Sequence, residues 1–66
     1  MEVLINGQSQ VFASDMTLHD LVRHFDAEGP HIAIALNDTV IPRGRLIDTP
    51  VKNGDRVEIV RAVGGG

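Results

Sequence analysis

The chain has no cysteine, no tryptophan and no tyrosine. Without a thiol it holds no disulfide, no thiolate zinc site and no cysteine nucleophile, a composition that fits a reducing cytosol. Its only aromatic side chains, Phe12 and Phe25, make no platform for stacked bases. Basic charge is scarce as well. Six Lys and Arg stand against nine Asp and Glu, for a formal net charge of −3. Nucleic-acid binders need a basic face, so no nucleic-acid partner is expected. An acidic body suits a basic partner surface instead. No apolar run approaches the ~18 residues of a membrane span. The short run Val3-Leu4-Ile5 has no basic region ahead of it and does not read as a signal peptide. A cytoplasmic protein with no membrane partner is the expectation.

What is present is enough for one small domain. The chain has 66 residues, 42% hydrophobic and 23% charged, the balance of a folded soluble chain. A domain of this size buries only about 60% of its unfolded surface, which leaves no room for a deep cleft beside the core. Residues 2–6 are apolar and β-branched, and Asn6-Gly7 is a hairpin turn signal. A second strand is expected over 8–13, broken by Ser14-Asp15-Met16. Thr17 followed by Asp20 reads as a capping box. Leu18, Leu21, Val22 and Phe25 then recur at helical spacing, predicting a helix of about ten residues that Gly29-Pro30 ends. A third strand spans 32–37, with large Ile32, Ile34 and Leu36 alternating with small Ala33 and Ala35. Asn37-Asp38 is a turn, Val40-Ile41 is extended, and Pro42 holds Ile41 out of helical geometry. Residues 43–52 are irregular, with Leu46, Ile47 and Val51 as expected inward anchors. After the turn at 52–55, the last strand spans 56–63. One helix across a mixed sheet of four or five strands is an α+β arrangement, and the first and last strands need no long crossover if they lie side by side in the middle.

The chain ends Gly64-Gly65-Gly66. Three residues without Cβ add nothing to a core and lose the most freedom when ordered. The expected organisation is therefore a domain over 1–63 and a flexible glycine tail over 64–66. Such an arm fits a tunnel too narrow for any side chain and carries a free carboxylate at its tip. The plainer reading is a frayed terminus.

A docking face follows from strand phase. Val57 and Ile59 point inward, so Val60 points out, and Val3 and Ile5 leave Leu4 outward. If the two strands are neighbours, Leu4 and Val60 form an exposed apolar spot beside the tail, although isolated exposed apolar residues are ordinary. Arg43 and Arg45 are candidates to aid docking, against a solvated loop. His19, His24 and His31 form no ligand cluster and predict no metal. Asp20 and His24, four apart, are placed to pair on the helix surface. Asp15, Asp20, Asp26 and Glu28 make an acidic, solvated side. No nucleophile–base pair is evident, so the chain is not expected to be an enzyme and has no catalytic residue of its own.

Several stretches together resemble a known family: Asn6-Gly7, Thr17-Leu18 with Leu21, Ala35-Leu36-Asn37, Val40-Ile41-Pro42-Arg43, and Gly54-Asp55-Arg56-Val57-Glu58-Ile59 leading to the glycines. In order, length and tail the chain is similar to the β-grasp, ubiquitin-like sulfur carriers, and within them to the thiamin-biosynthesis branch, the ThiS family. Two features depart from the family pattern: a third glycine, Gly64, and Leu46 where many relatives carry Trp. The small subunit of molybdopterin synthase shares fold and tail. It often has a Pro-Pro step where this chain has Arg61-Ala62-Val63, which favours the thiamin branch.

The resemblance implies a chemistry for the tip. A terminal carboxylate has a pKa of about 3.3–3.7, and as an anion it resists attack by sulfur until activated. The family's route is adenylation of Gly66 by an E1-like enzyme using ATP and Mg²⁺. A persulfide or sulfide then displaces AMP, and the resulting thiocarboxylate is donated to thiazole synthase. The chain itself binds no cofactor in this scheme. The alternatives that stay open are another thiocarboxylate carrier, the molybdopterin relative among them, and an interaction module with an inert tail.

Overall fold

The computed structural model describes residues 1–61. The expected end of the last strand at Val63, the boundary after it and the glycine tail lie outside the described residues. Strand β1 (Glu2–Ile5) and strand β2 (Gln8–Val11) form an antiparallel hairpin with Ile5 opposite Gln8. The two residues between them, Asn6 and Gly7, have φ of 51° and 84°. Positive φ at both positions is a type I′ turn, the one whose twist matches the flanking strands. The hairpin carries one more bonded pair beyond β2: the Phe12 amide donates to Met1 O at 2.8 Å, and the Met1 ammonium donates to Phe12 O at 3.0 Å. Ala13 falls outside the strand, so β2 is two residues shorter than the alternation suggested.

Met16–Thr17 is not a break but a short strand, β3. It pairs antiparallel with β6 (Pro50–Val51) in a separate two-stranded sheet. A strand of two residues is too short for period-two alternation to appear in a sequence.

Helix α1 spans Leu18–His24. Its start follows expectation closely. The Thr17 hydroxyl accepts from the Asp20 amide at 3.2 Å, and the Asp20 carboxylate accepts from the Thr17 amide at 3.0 Å, a complete capping box. These bonds, the backbone one first, hold the Asp20 carboxyl below its ordinary value of 3.8. A lowered carboxyl pKa means the cap is fully stabilising above the ordinary value and is lost as pH falls through the lowered one.

The helix end is a correction. It is seven residues long and stops before Gly29-Pro30. Phe25 is its C-cap, and Asp26 adopts φ of 54°. The Asp26 amide donates to Arg23 O at 3.1 Å and the Ala27 amide to Val22 O at 2.8 Å. Those two bonds are the Schellman pattern, which normally uses glycine at the left-handed position. Asp26 does the work of a glycine there, so no glycine marked the stop.

Strands β4 (Ile32–Leu36) and β5 (Thr39–Ile41) form a second hairpin. Its turn residues Asn37 and Asp38 have φ of 49° and 72°, again a type I′ turn, here without glycine. A 3₁₀ helix over Arg43–Asp48 leads to β6, and β7 (Arg56–Arg61) closes the described chain. The main sheet has the order β2-β1-β7-β4-β5, with β1 and β7 parallel, side by side in the middle. This is the β-grasp arrangement, α+β with one helix on a five-stranded mixed sheet.

Val3, Ile5, Ile34 and Val57 from the sheet meet Leu18, Leu21 and Val22 from α1, with Leu46 and Val51 closing the side. Ile47 was an expected anchor and is 60% exposed. With three residues per turn in a 3₁₀ helix, directing Leu46 inward rotates Ile47 outward.

Asp26→Gly tests the reading of the helix end. A non-glycine residue held left-handed costs about 1–2 kcal/mol, and a carboxylate at a helix C-terminus opposes the macrodipole. Urea melts should show a gain of about 1 kcal/mol after the added chain entropy of glycine is subtracted. A loss of stability would contradict the Schellman reading.

Candidate functional site

The candidate site is the end of β7 and the sheet face beside it, since the tail continues from Arg61. Strand β7 is bonded to neighbours on two edges, but unequally. On one edge β4 runs antiparallel beside its whole length, from Leu36 opposite Val57 to Ile32 opposite Arg61. On the other edge β1 pairs only at Leu4–Arg56 and Ile5–Val57. Beyond Val57 the strand outruns β1.

Asparagine side chains extend the pairing. The Asn6 amide donates to Val57 O at 2.9 Å. Asn6 Oδ1 accepts from the Ile59 amide at 2.8 Å, and Asn6 Nδ2 donates to Ile59 O at 3.4 Å. One turn residue thus bonds both peptide groups of Ile59, where a further strand residue would. Asn37 plays the matching part at the other end and edge. Its amide donates to Arg56 O at 2.8 Å, and its Oδ1 accepts from the Arg56 amide at 2.9 Å. Sequence reading took both asparagines as turn formers only. The turn signal gave no hint of their side-chain bonds, because the partner strand lies more than fifty residues away for Asn6.

The face of the sheet opposite α1 carries the expected docking residues. Leu4 is 38% exposed and Val60 53% exposed, both outward as the phase predicted. They do not form one spot. Leu4 sits opposite Arg56, four residues from Val60, or about 13 Å along the strand, and outward-facing Glu58 lies between. The single apolar spot is therefore corrected by register. Val60 instead lies opposite Ala33, and Ala35 opposite Val40, which is 67% exposed. The patch beside the end of β7 thus runs Val60, Ala33, Ala35, Val40. The small outward residues of β4 were the available signal: a strand with large side chains inward and alanines outward leaves its outer face low enough for close approach.

Arg43 lies elsewhere. Its Nη2 donates to Gly29 O at 2.6 Å, tying the 3₁₀ helix to the segment after α1. It borders a hollow of about 350 Å³ between α1 and the β4–β5 hairpin, lined by Val22, Ala27, Ile34 and Ile41. That is the helix side, so the structure does not bring Arg43 together with Leu4 and Val60. Arg45 is exposed. The Asp20–His24 pair does not form: Asp20 serves the cap, and the His24 ring packs edge-on against Phe12 and Phe25, with centroids at 5.5 and 4.9 Å. Among the described residues no three His, Asp or Glu side chains gather into a metal site. The reacting position expected from the sequence, Gly66, and its neighbours Gly64 and Gly65 lie outside the described residues.

Comparison with known proteins covers nearly the whole chain. Residues 3–66 match the ThiS family. The chain is 29% identical over 66 residues to the sulfur carrier protein ThiS of Escherichia coli, and each covers 100% of the other. It is 30% identical over 66 residues to a thiazole synthase of Paramagnetospirillum magneticum, of whose length it spans only 20%. The crystal structure of a thiamine biosynthesis protein, ThiS, from Geobacter metallireducens superposes with a TM-score of 0.86 at 29% identity, with 100% of both chains covered.

The assignment of faces has a direct check. Ile59→Ala should lower stability by about 2 kcal/mol, the low end for core truncations because Ile59 is only half-buried. Val60→Ala should stay within about 0.5 kcal/mol of wild type. Urea melts that rank the two the other way would reverse the faces.

Proposed function

This chain belongs to the ThiS family, and from that membership we propose that it is a sulfur carrier for thiamin biosynthesis whose terminal Gly66 becomes a thiocarboxylate. The observation that carries the proposal is the correspondence, over 100% of both chains, with a sulfur carrier protein.

The chemistry begins with an anion. The Gly66 carboxylate attacks the α-phosphorus of ATP on an E1-like adenylating enzyme, with Mg²⁺ held by that enzyme, and pyrophosphate leaves. The acyl-adenylate is an electrophile. The terminal sulfur of a persulfide-bearing donor attacks its carbonyl and AMP leaves. A thiol then takes the bridging sulfur of the donor, and a thiocarboxylate remains on Gly66. Glycine suits the tip because an unbranched Cα crowds neither the phosphate nor the incoming sulfur. The carrier contributes the reacting atom, its reach and a surface. The catalytic groups belong to its partners.

Thiazole synthase is the proposed recipient. A thiazole synthase that contains a stretch similar to this chain supports a working relation between the two, since joining modules raises their effective concentration. The patch of Val60, Ala33, Ala35 and Val40 is the proposed docking face. Its position on the same sheet face as the end of β7 lets one partner hold the body and receive the tail. We assign the protein to the cytoplasm, where ATP is available; among the described residues no helix is long and apolar enough to cross a membrane.

ATP–pyrophosphate exchange with the activating enzyme tests the reading through tail length. Deleting Gly66 still leaves a chain that ends in two glycines, so a rule of composition alone calls it active. Reach says otherwise. One extended residue spans about 3.3–3.6 Å, and a misplacement of about 1 Å can cost 10²-fold in rate. The deletion should bind as well as the full chain and exchange far more slowly, whereas Val60→Glu should remain folded and raise the KM for the carrier. Equal exchange by the deletion would refute the reach argument. No exchange by the full chain would leave an interaction module with an inert tail.

A further inference from the structure

We infer that Asn6 is a positioning residue for the reacting terminus: its side chain stands in for a missing strand and fixes the line along which β7 delivers the tail. The inference rests on the sulfur-carrier reading for its consequence, and on the geometry of β7 for its cause.

The ladder between β1 and β7 ends at Ile5–Val57, yet β7 continues to Arg61. In a strand, the amide and carbonyl of alternate residues face the same neighbour. The peptide groups of Ile59 therefore face the edge that β1 has left. Without a partner, that stretch would be held by β4 alone and free to swing on its other side. Asn6 prevents this with two bonds, from the Ile59 amide to Oδ1 at 2.8 Å and from Nδ2 to Ile59 O at 3.4 Å. Asn6 is itself fixed. Its backbone is the first residue of the type I′ turn, and its own amide is bonded to Val57 O. The turn residue is anchored at Val57 and reaches two residues further to Ile59.

A side chain that only closes a hairpin needs no such reach. Glycine or aspartate also satisfies the first position of a type I′ turn. Asparagine alone of the three offers both an acceptor and a donor at the end of a short stem, matching the N–H and the C=O of one residue. The consequence falls at the tip. Ile59 is two residues before Arg61, the last described residue of β7, so a change in its lateral position shifts the point from which the rest of the chain departs. Three residues of the outward patch for docking, Ala33, Ala35 and Val40, lie on β4 and β5 and owe nothing to Asn6, and Val60 is paired from the β4 edge by Ala33. Loss of the clamp should therefore impair turnover and not capture.

Three proteins decide it: wild type, Asn6→Gly, which keeps the turn and removes both bonds, and Asn6→Asp, which keeps the turn and the acceptor. Amide hydrogen exchange at Ile59 reads the clamp without any partner. It should speed up in Asn6→Gly and stay protected in Asn6→Asp. Exchange kinetics with the activating enzyme read the consequence. Asn6→Gly should lose about tenfold in kcat, a fraction of what a misplacement of about 1 Å can cost, with KM unchanged, and Asn6→Asp, which keeps the acceptor and loses the donor, should fall between it and wild type. A merely structural role would lower the melting temperature and leave kcat intact at temperatures where the protein is folded. The inference is overturned if Asn6→Gly turns over like wild type, or if its loss appears in KM. A wild-type chain that supports no turnover contradicts the carrier reading instead, and the hydrogen-exchange arm still reports whether the clamp exists.

Discussion

Strand β7 lies in the middle of its sheet, and hydrogen bonds on both edges keep it there. On one side β4 follows it from Val57 to Arg61. On the other, β1 covers only its beginning, and Asn6 covers Ile59. Arg56, at the start, is bracketed by Asn37. These side-chain bonds are exposed, so each nets only about 0.5–1.5 kcal/mol over a bond to water, and together they count in a domain whose whole stability is of the order of 5–15 kcal/mol. A chain end that leaves the centre of a sheet starts from a strand bonded on both edges.

The same arrangement separates two tasks. The inner face of β7 commits Val57 to the core, where it is fully buried, and Ile59 to the margin of that core. The outer face is left for Val60, beside the low alanines of β4. On the proposed reading, stability and docking use alternate residues of one strand, and a substitution on one face need not disturb the other. The helix side is occupied differently. Arg43 spans from the 3₁₀ helix to Gly29 O, a brace between segments on the side of the sheet away from Leu4 and Val60.

Much of this was legible in the sequence because the signals are local. Asn6-Gly7 fixed the first hairpin, Thr17 and Asp20 the helix start, and the alternation of Ile and Ala the two faces of β4. The inward phase of Val57 and the outward phase of Val60 followed from period two alone. What escaped is what depends on distant partners or on exceptions to a rule. The stop of α1 was missed because Asp26 takes a conformation that usually asks for glycine. The Met16–Thr17 strand exists only because Pro50–Val51 lies beside it. Leu4 and Val60 were joined because phase says which face a residue occupies, whereas register, which sets position along that face, comes from the pairing of strands half a chain apart. The bonds of Asn6 to Ile59 were missed for the same reason.

The central claim is that this body exists to carry one reactive atom at Gly66, and intact-mass spectrometry tests it most directly. The full chain is incubated with ATP, Mg²⁺, the activating enzyme and a persulfide donor, and its mass is compared with that of the untreated chain. A carrier charged at Gly66 gains the mass difference of one oxygen replaced by sulfur, located by fragmentation at Gly66 and absent when ATP is omitted. An unchanged mass under conditions that charge an authentic sulfur carrier, or a modification placed anywhere but the terminal glycine, would contradict that claim.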